Sequence, residues 1–520
     1  MIIDKNNQKI VLWSMILAVS MTTIDQTIVA LSADTIQTGL GVSHSVIVWS
    51  INAYILATAA FFLLGGKLAD VFGHKRMVVI GIALFALFSL LCGLTPSGDI
   101  AGPWLITARA LQGVSTALMF PAALGIVRAG FPLESRGKAS ATFFSITGAM
   151  TAIGPIVGGY LTDWTWRSIF WINVPIAIVA LALIAKRKIE DKSERHPIDW
   201  QGGALIAASM GLSIAGLQQA GTWGWDSVLT WLFIAAGLAF LVAFIQFERK
   251  AQYPLVKLHA FKNRGFSLSV LATFFSSMAF IPIFFFISVY AQISLGLDVS
   301  TSGLLLLEFF IGFTVASIYG GKIFDKKGAR IPLIMGGLLG GIGFAWWASK
   351  LSILTDGGSF LSSPQFFPTV LAGAGIGFMF SAASTDIANR SSEKAFGEST
   401  AISQTAKNFG GALGLALLAT LLATQLNTNL VNSFTALGAS ASDAQSVAKD
   451  INSQAQGDKQ NSSSESSLPK DVQDKFNNAV RDGYAESTKT VFYSMSGAMF
   501  IILILGLMYP KHEEINIRKV

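Results

Sequence analysis

The sequence predicts an all-α membrane protein that crosses the bilayer fourteen times. Three observations predict it. Charged residues make up only 13% of the chain and apolar residues 52%, roughly half the charge of an ordinary soluble domain. Apolar stretches long enough to span, about 20 residues each, recur from one end to the other. Lysine and arginine cluster in every second connection between them, the pattern left when positive loops stay in the cytoplasm.

The stretches are residues 10–31, 46–64, 77–94, 104–127, 139–161, 168–184, 202–219, 228–247, 266–290, 302–323, 331–348, 366–385, 399–424 and 491–509. The first lacks a small-residue cleavage site, so it reads as a retained helix and not a signal peptide. With the N-terminus inside, the inner connections carry Lys75 and Arg76, then Arg128, Arg136 and Lys138, then Lys186, Arg187, Lys188, Lys192 and Arg195. Further along they carry Arg249, Lys250, Lys257, Lys262 and Arg264, then Lys322, Lys326, Lys327 and Arg330, then Arg390 and Lys394. The short outer connections hold only Arg167 and Lys350. A miscount of one helix would scramble this alternation, so the map predicts a multi-pass protein of the cell membrane with both termini cytoplasmic.

Composition narrows the function classes. The 50 glycines suit close helix packing in lipid, and the 12 tryptophans suit the membrane interfaces. The net charge of +7 sits in short clusters between spans, which points to the lipid bilayer and away from nucleic acid. Cys92 is the single cysteine and the five histidines are scattered, so neither a disulfide nor a metal site is expected, and no cofactor.

Residues 425–490 form one exceptional outer connection, long and polar. Its middle, residues 454–467, reads as a flexible linker. Residues 441–451 and 470–485 can form amphipathic helices. A helical hairpin and a solvated loop both remain open.

An internal repeat is visible. The run from Gly66 through Asp70 and Gly73 to Lys75 matches the run from Gly321 through Asp325 and Gly328 to Arg330. Each follows the second helix of a presumed half, and duplicated halves with a substrate site between them are a common transporter plan. The expected domains are 1–190, a six-helix bundle; 191–262, two additional helices; and 263–520, a second bundle that includes the 425–490 connection.

These residues carry a resemblance. The Gly66–Arg76 run is similar to the loop between helices two and three in the major facilitator superfamily, and specifically in its fourteen-helix drug:proton antiporters. Arg109-Ala110-Leu111-Gln112-Gly113 resembles the family's arginine motif, and Gly154-Pro155-Ile156-Val157-Gly158-Gly159 its antiporter motif. Asp25-Gln26-Thr27-Ile28-Val29, the run from Trp166 to Pro175, Asp199-Trp200-Gln201-Gly202, and Gly410–Gly414 after Lys407 are similar to the drug exporters. Two positions depart from the pattern: proline is usual where Asp34 stands, and frequent where Glu308 stands.

The resemblance implies two six-helix bundles of the major facilitator fold plus two linker helices, no enzyme activity, and proton-driven efflux of amphipathic cationic drugs or other bulky organic compounds, by a monomer. It implies that Gly66, Asp70, Gly73, Lys75 and Arg76, with Asp325 and Gly328, latch the inner gate. Gly66 and Gly73 allow tight turning, and Lys75 and Arg76 can bond helix C-termini. Pro155 removes a backbone donor and bends its helix, while Gly154, Gly158 and Gly159 allow close packing against the opposite half.

Charges inside spans are costly and are functional candidates by default. At ~1.5 Å per residue, Asp25, Arg109 and Glu308 all lie roughly 8–10 Å below the outer surface. Asp25 can pair with Arg109, which leaves two readings open: a proton site, or a partner that only neutralises the arginine. Glu308 sits among Leu304–Leu307, Phe309 and Phe310, an apolar stretch that disfavours its charged form. It can exchange a proton for a cationic substrate, or serve as a neutral acid bonded between helices. Asp34 is expected at the cavity mouth. Trp49, Tyr54, Gln112 and Tyr290 are candidate cavity residues, the aromatics able to hold a cation over their faces. A small-molecule substrate and protons are the expected partners. No ATP-binding loop, nucleophile–base set or soluble catalytic domain is found, which disfavours a membrane enzyme or sensor. A dedicated carrier of a metabolite, peptide or lipid on the same fold stays open.

Overall fold

In hydrocarbon a backbone must satisfy its own amide groups, so each apolar stretch folds as a helix. The computed structural model describes residues 5–132, 135–185, 197–297, 299–351, 364–390, 396–436 and 470–510. The helices are α1 (Lys5–Leu31), α2 (Ala33–Leu40), α3 (His44–Phe72), α4 (His74–Gly93), α5 (Ala101–Ala129), α6 (Arg136–Trp164), α7 (Ser168–Trp171), α8 (Asn173–Ala185), α9 (Trp200–Trp223) and α10 (Val228–Glu248). They continue with α11 (Arg264–Phe280), α12 (Pro282–Ile293), α13 (Val299–Lys327), α14 (Arg330–Lys350), α15 (Phe366–Arg390), α16 (Phe396–Ala436) and α17 (Lys470–Leu507). Among the described residues, 13 segments are long and apolar enough to cross a membrane. The 29-residue α6 occupies the remaining predicted span.

Two predicted spans are broken. Residues 168–184 fold as α7 and α8, divided at Ile172. Residues 266–290 fold as α11 and α12, and Pro282 opens α12, a position where its missing N–H would have had no helical partner.

The first half packs α3 and α4 along α5, and α1 on α6 and α8. The second half repeats the theme, with α13 and α14 along α15, α14 along α17, and α11 along α16. The halves meet where α6 lies on α13 and α16 on α3. The pair α9–α10 packs on itself, and α9 rests against both α3 and α16. Outward, α10 presents Leu229, Trp231, Leu232 and Val242, an apolar face that suits lipid.

The polar connection is helical at both of its ends. Residues 425–436 continue α16, because Leu426, Leu430 and Phe434 recur at helical spacing and are buried. They cluster with Tyr484 and Ala485 of α17, and Asn429 donates to Ser487 Oγ at 3.0 Å. Residues 470–485 are helical, as their amphipathic pattern predicts. The segments 441–451 and 454–467 lie outside the described residues.

Candidate functional site

The first half buries a charged network. Arg109 of α5 donates through Nη1 to Asp25 Oδ2 of α1 at 2.6 Å and to Gln112 Oε1 at 2.7 Å. Gln112 Nε2 donates to Asp25 Oδ1 at 3.0 Å, and Asn173 Nδ2 of α8 donates to the same oxygen at 3.1 Å. Asn173 also reaches Ser89 Oγ of α4 at 2.9 Å. The Arg109 guanidinium stands 4.5 Å over the Tyr54 ring of α3, and the Tyr54 hydroxyl bonds Thr116 at 3.0 Å. Asp25 and Arg109 are almost fully enclosed, with side-chain exposures of 0% and 1%. A buried ion pair persists only when its remaining lone pairs and protons are also satisfied, and here five helices supply the partners.

This arrangement changes the expected role of two residues. Gln112 is a member of the ion network and Tyr54 gives its ring face to Arg109, so neither is free to line a cavity. Tyr290 is also committed: its hydroxyl donates to the Leu351 carbonyl at 2.7 Å and accepts from Gln365 at 2.9 Å. Trp49 is half-buried in α3. Asp34 falls in α2, with its side chain outside the described residues.

The second half is different. Glu308 of α13 is fully buried, and among the described residues neither carboxyl oxygen has a hydrogen-bond partner. Beside it a run of aromatic rings crosses the molecule. Phe309 and Phe310 meet edge to face, Phe310 contacts Phe313, and Phe280 of α11 stacks on Phe313 at 5.5 Å. Phe380 of α15 touches Phe144 of α6 at 5.3 Å, which carries the run into the first half. Lys407 of α16 holds its ammonium 5.5 Å from the Phe280 ring centre and 5.2 Å from that of Phe380.

One face of the bundle is closed by two matching contacts. Asp70, near the end of α3, accepts from the Glu398 N–H in the first turn of α16 at 2.9 Å. Asp325, near the end of α13, accepts from the Gly137 and Lys138 N–H groups in the first turn of α6, at 2.8 and 3.0 Å. Each carboxylate thus sits at the N-terminus of a helix from the other half, where unsatisfied amides and the helix dipole favour a negative charge. The glycines that follow, Gly73 and Gly328, have φ of 99° and 71°, turns that a side chain would strain. Gly66 is buried in α3, Lys75 is half-buried, and Arg76 is exposed in the first turn of α4.

The same face contains residues that the sequence reading counted only as loop charges or passed over. Arg128 is fully buried and crosses between halves, donating to the Ser384 carbonyl at 2.8 Å and to Thr400 Oγ1 at 2.8 Å. Its signal was a solitary arginine at the end of an apolar span. Glu398 accepts from the Lys257 N–H at 2.8 Å, and Lys67 donates to the Pro254 carbonyl at 3.0 Å. The connection after α10 is therefore stitched to the Asp70 contact. Asp199 caps α9 by accepting from the Gly202 N–H at 2.8 Å.

The Gly-Pro-Gly-Gly motif of α6 packs differently from expectation. A Cβ on Gly154 would strike Thr27 Oγ1 of α1, and one on Gly158 would lie 3.3 Å from Ile28 Cγ1. These glycines, one helical turn apart, seat α6 against α1 in its own half. The close approach to the other half comes instead from Gly137, against Gly321, and Gly148, against Phe313. The helix runs unbroken through Pro155 and Gly159.

A family model described as the Major Facilitator Superfamily matches residues 14–415 and, in a second placement, 269–514. The chain is 33% identical over 416 residues to the tetracenomycin C resistance and export protein of Streptomyces glaucescens, covering 79% of this chain and 76% of that one. It is 30% identical over 437 residues to multidrug resistance protein 3 of Bacillus subtilis (strain 168), covering 83% of each. Among solved structures, the proton:xylose symporter XylE is similar with a TM-score of 0.55 and 13% identity, covering 98% of this chain and 97% of that one. The chain belongs to the Major Facilitator Superfamily, a family of membrane transporters and not of enzymes.

Proposed function

We propose that this member of the Major Facilitator Superfamily expels bulky amphipathic organic compounds, cations among them, in exchange for protons. The relatives are named for antibiotic resistance and export and for multidrug resistance, and their similarity over most of the chain supports efflux. The observation that carries proton exchange is Glu308, enclosed and, among the described residues, without a partner for either oxygen. Leaving a buried polar group unbonded costs about 1–3 kcal/mol, and more when it is charged. An acid that only tied helices together would have its bond. An acid that alternates between a proton and a cationic substrate has its partners only during transport.

The mechanism is alternating access. Asp70, Asp325 and Arg128 hold one face shut across the halves. Opening that face breaks the bonds and admits substrate, and closing it remakes them as substrate leaves on the other side. With both termini in the cytoplasm of a cell-membrane protein, the shut face is the cytoplasmic one, and a single chain forms the whole pathway. A Lys326→Cys variant in a Cys92→Ser background should then resist an impermeant thiol reagent in intact cells. Labelling there would invert the topology.

The decisive experiment is transport in everted vesicles with a panel of compounds and a fluorescent pH readout. Substrate addition should discharge the pH gradient in proportion to uptake. Uptake without proton movement would reject the exchange.

A further inference from the structure

We propose that Lys407 is a specificity-determining residue, whose ammonium receives the acidic group of planar aromatic compounds bearing a carboxylate or phenolate. This deepens the efflux reading above by adding an acid-binding position to the cation-exchanging Glu308.

The position is central. At ~1.5 Å per residue, Lys407 lies about 16 Å along α16 from its start, near the middle of a ~30 Å hydrocarbon core. A lysine there is costly relative to an apolar residue, because its charge is taken out of water. Nothing in the fold offsets that fully. Among the described residues, no carboxylate lies within ion-pair distance of the ammonium, and no acceptor bonds it. Its neighbours are the faces of Phe280 and Phe380, which attract a cation only weakly.

The direction is also informative. Lys407 is half-buried, not enclosed. The Phe380 ring beneath its ammonium touches Phe144 of the other half, so the charge is aimed at the seam where the halves part and meet. Packing alone would be served by methionine or leucine at no electrostatic cost. A cation with free hydrogen-bond donors, set on phenyl faces at a seam, matches a ligand with a flat apolar body and one anionic group. The rings take the body by stacking or edge contact, and the ammonium takes the anion by a charge-assisted hydrogen bond. The same charge repels a cation placed there, so cations are expected to bind away from it.

The test is equilibrium binding to the purified full chain in detergent near neutral pH, with anthracene carboxylate and ethidium as fluorescent probes. Lys407→Gln should weaken anthracene carboxylate by about ten-fold or more, equivalent to about 1.4 kcal/mol, and leave ethidium unchanged or tighter. Lys407→Arg, which keeps the charge, should retain acid binding within a few-fold. Retained ethidium binding reports that the Gln variant is folded. Equal loss of both probes, unchanged acid binding in Lys407→Gln, or loss in Lys407→Arg as severe as in Lys407→Gln would each overturn the assignment. Binding needs no proton gradient, so the two readings fail separately. Selective acid loss with no pumping in vesicles would reject efflux and keep the site. Normal pumping with no selective loss would reject the site and keep efflux.

Discussion

The Asp25–Arg109 network of the first half and the Glu308 and Lys407 region of the second hold their charges in opposite ways. In the first half, Asp25 and Arg109 satisfy each other, and Gln112, Asn173, Ser50 and Tyr54 take up the bonds and ring contacts that remain. In the second half, among the described residues, Glu308 has no hydrogen-bond partner and Lys407 meets the faces of two phenyl rings. A network in which the two charges are paired and bonded from several helices is expensive to disturb and suits an anchor. Unsaturated charges are unstable until something binds, and suit the exchange of cargo.

The largest effect expected from breaking this contrast is at Asp25. Asp25→Asn leaves the enclosed Arg109 without its counter-charge, and breaking a buried pair in this way costs about 3–5 kcal/mol. Thermal unfolding followed by fluorescence-detected chromatography should show a clear loss of stability along with lost transport. A variant as stable as wild type would mean that the network is no anchor.

The latches come next, because there the halves act alike. Asp70→Asn should largely abolish transport while expression and substrate binding persist, and Asp325→Asn should do the same from the opposite half. Asp70→Asn transport at the wild-type rate would remove the latch from the mechanism. A difference between the two variants would assign the gate mainly to one half, and the stitching of residues 254–257 to Lys67 and Glu398 makes the Asp70 side the firmer.

Glu308→Gln should have a narrower effect. It preserves shape and the capacity to hydrogen-bond but cannot exchange a proton, so uphill efflux of cations should fail while some downhill exchange continues. Substrate-induced proton release from purified protein separates the cases: undiminished release by the variant would move coupling to Asp25 or Asp34. The smallest effect is expected from deleting residues 454–467, which carry no intramembrane charge. Coupled efflux should stay within a few-fold of wild type, and complete loss of coupling in a correctly inserted protein would contradict this.

Chemical pattern along the chain predicted more of the architecture than of the site. Most of the spans and the paired Asp70 and Asp325 runs were legible because each depends on residues close in sequence: an apolar stretch, a Gly–Asp–Gly spacing. The continuation of α16 through residues 425–436 was equally local, in Leu426, Leu430 and Phe434, but polar neighbours between them masked the helical spacing. The faces of α6 were not legible. Gly154 and Gly158 could have met either half, and only the packed helix shows that they meet α1 while Gly137 and Gly148 meet α13.

By itself, then, the sequence determined an all-α membrane protein, its family resemblance, and which charges stand inside spans. Tertiary structure alone decided which of those charges are satisfied. Asp25 and Arg109 are 84 residues apart, and Arg128 reaches a carbonyl 256 residues away. Hydrophobicity is a property of each residue and survives in any local window. A hydrogen bond needs two groups within about 3 Å, and helices far apart in the chain meet at that distance only when they are packed. The same packing leaves Glu308 unbonded and Lys407 bare above two rings.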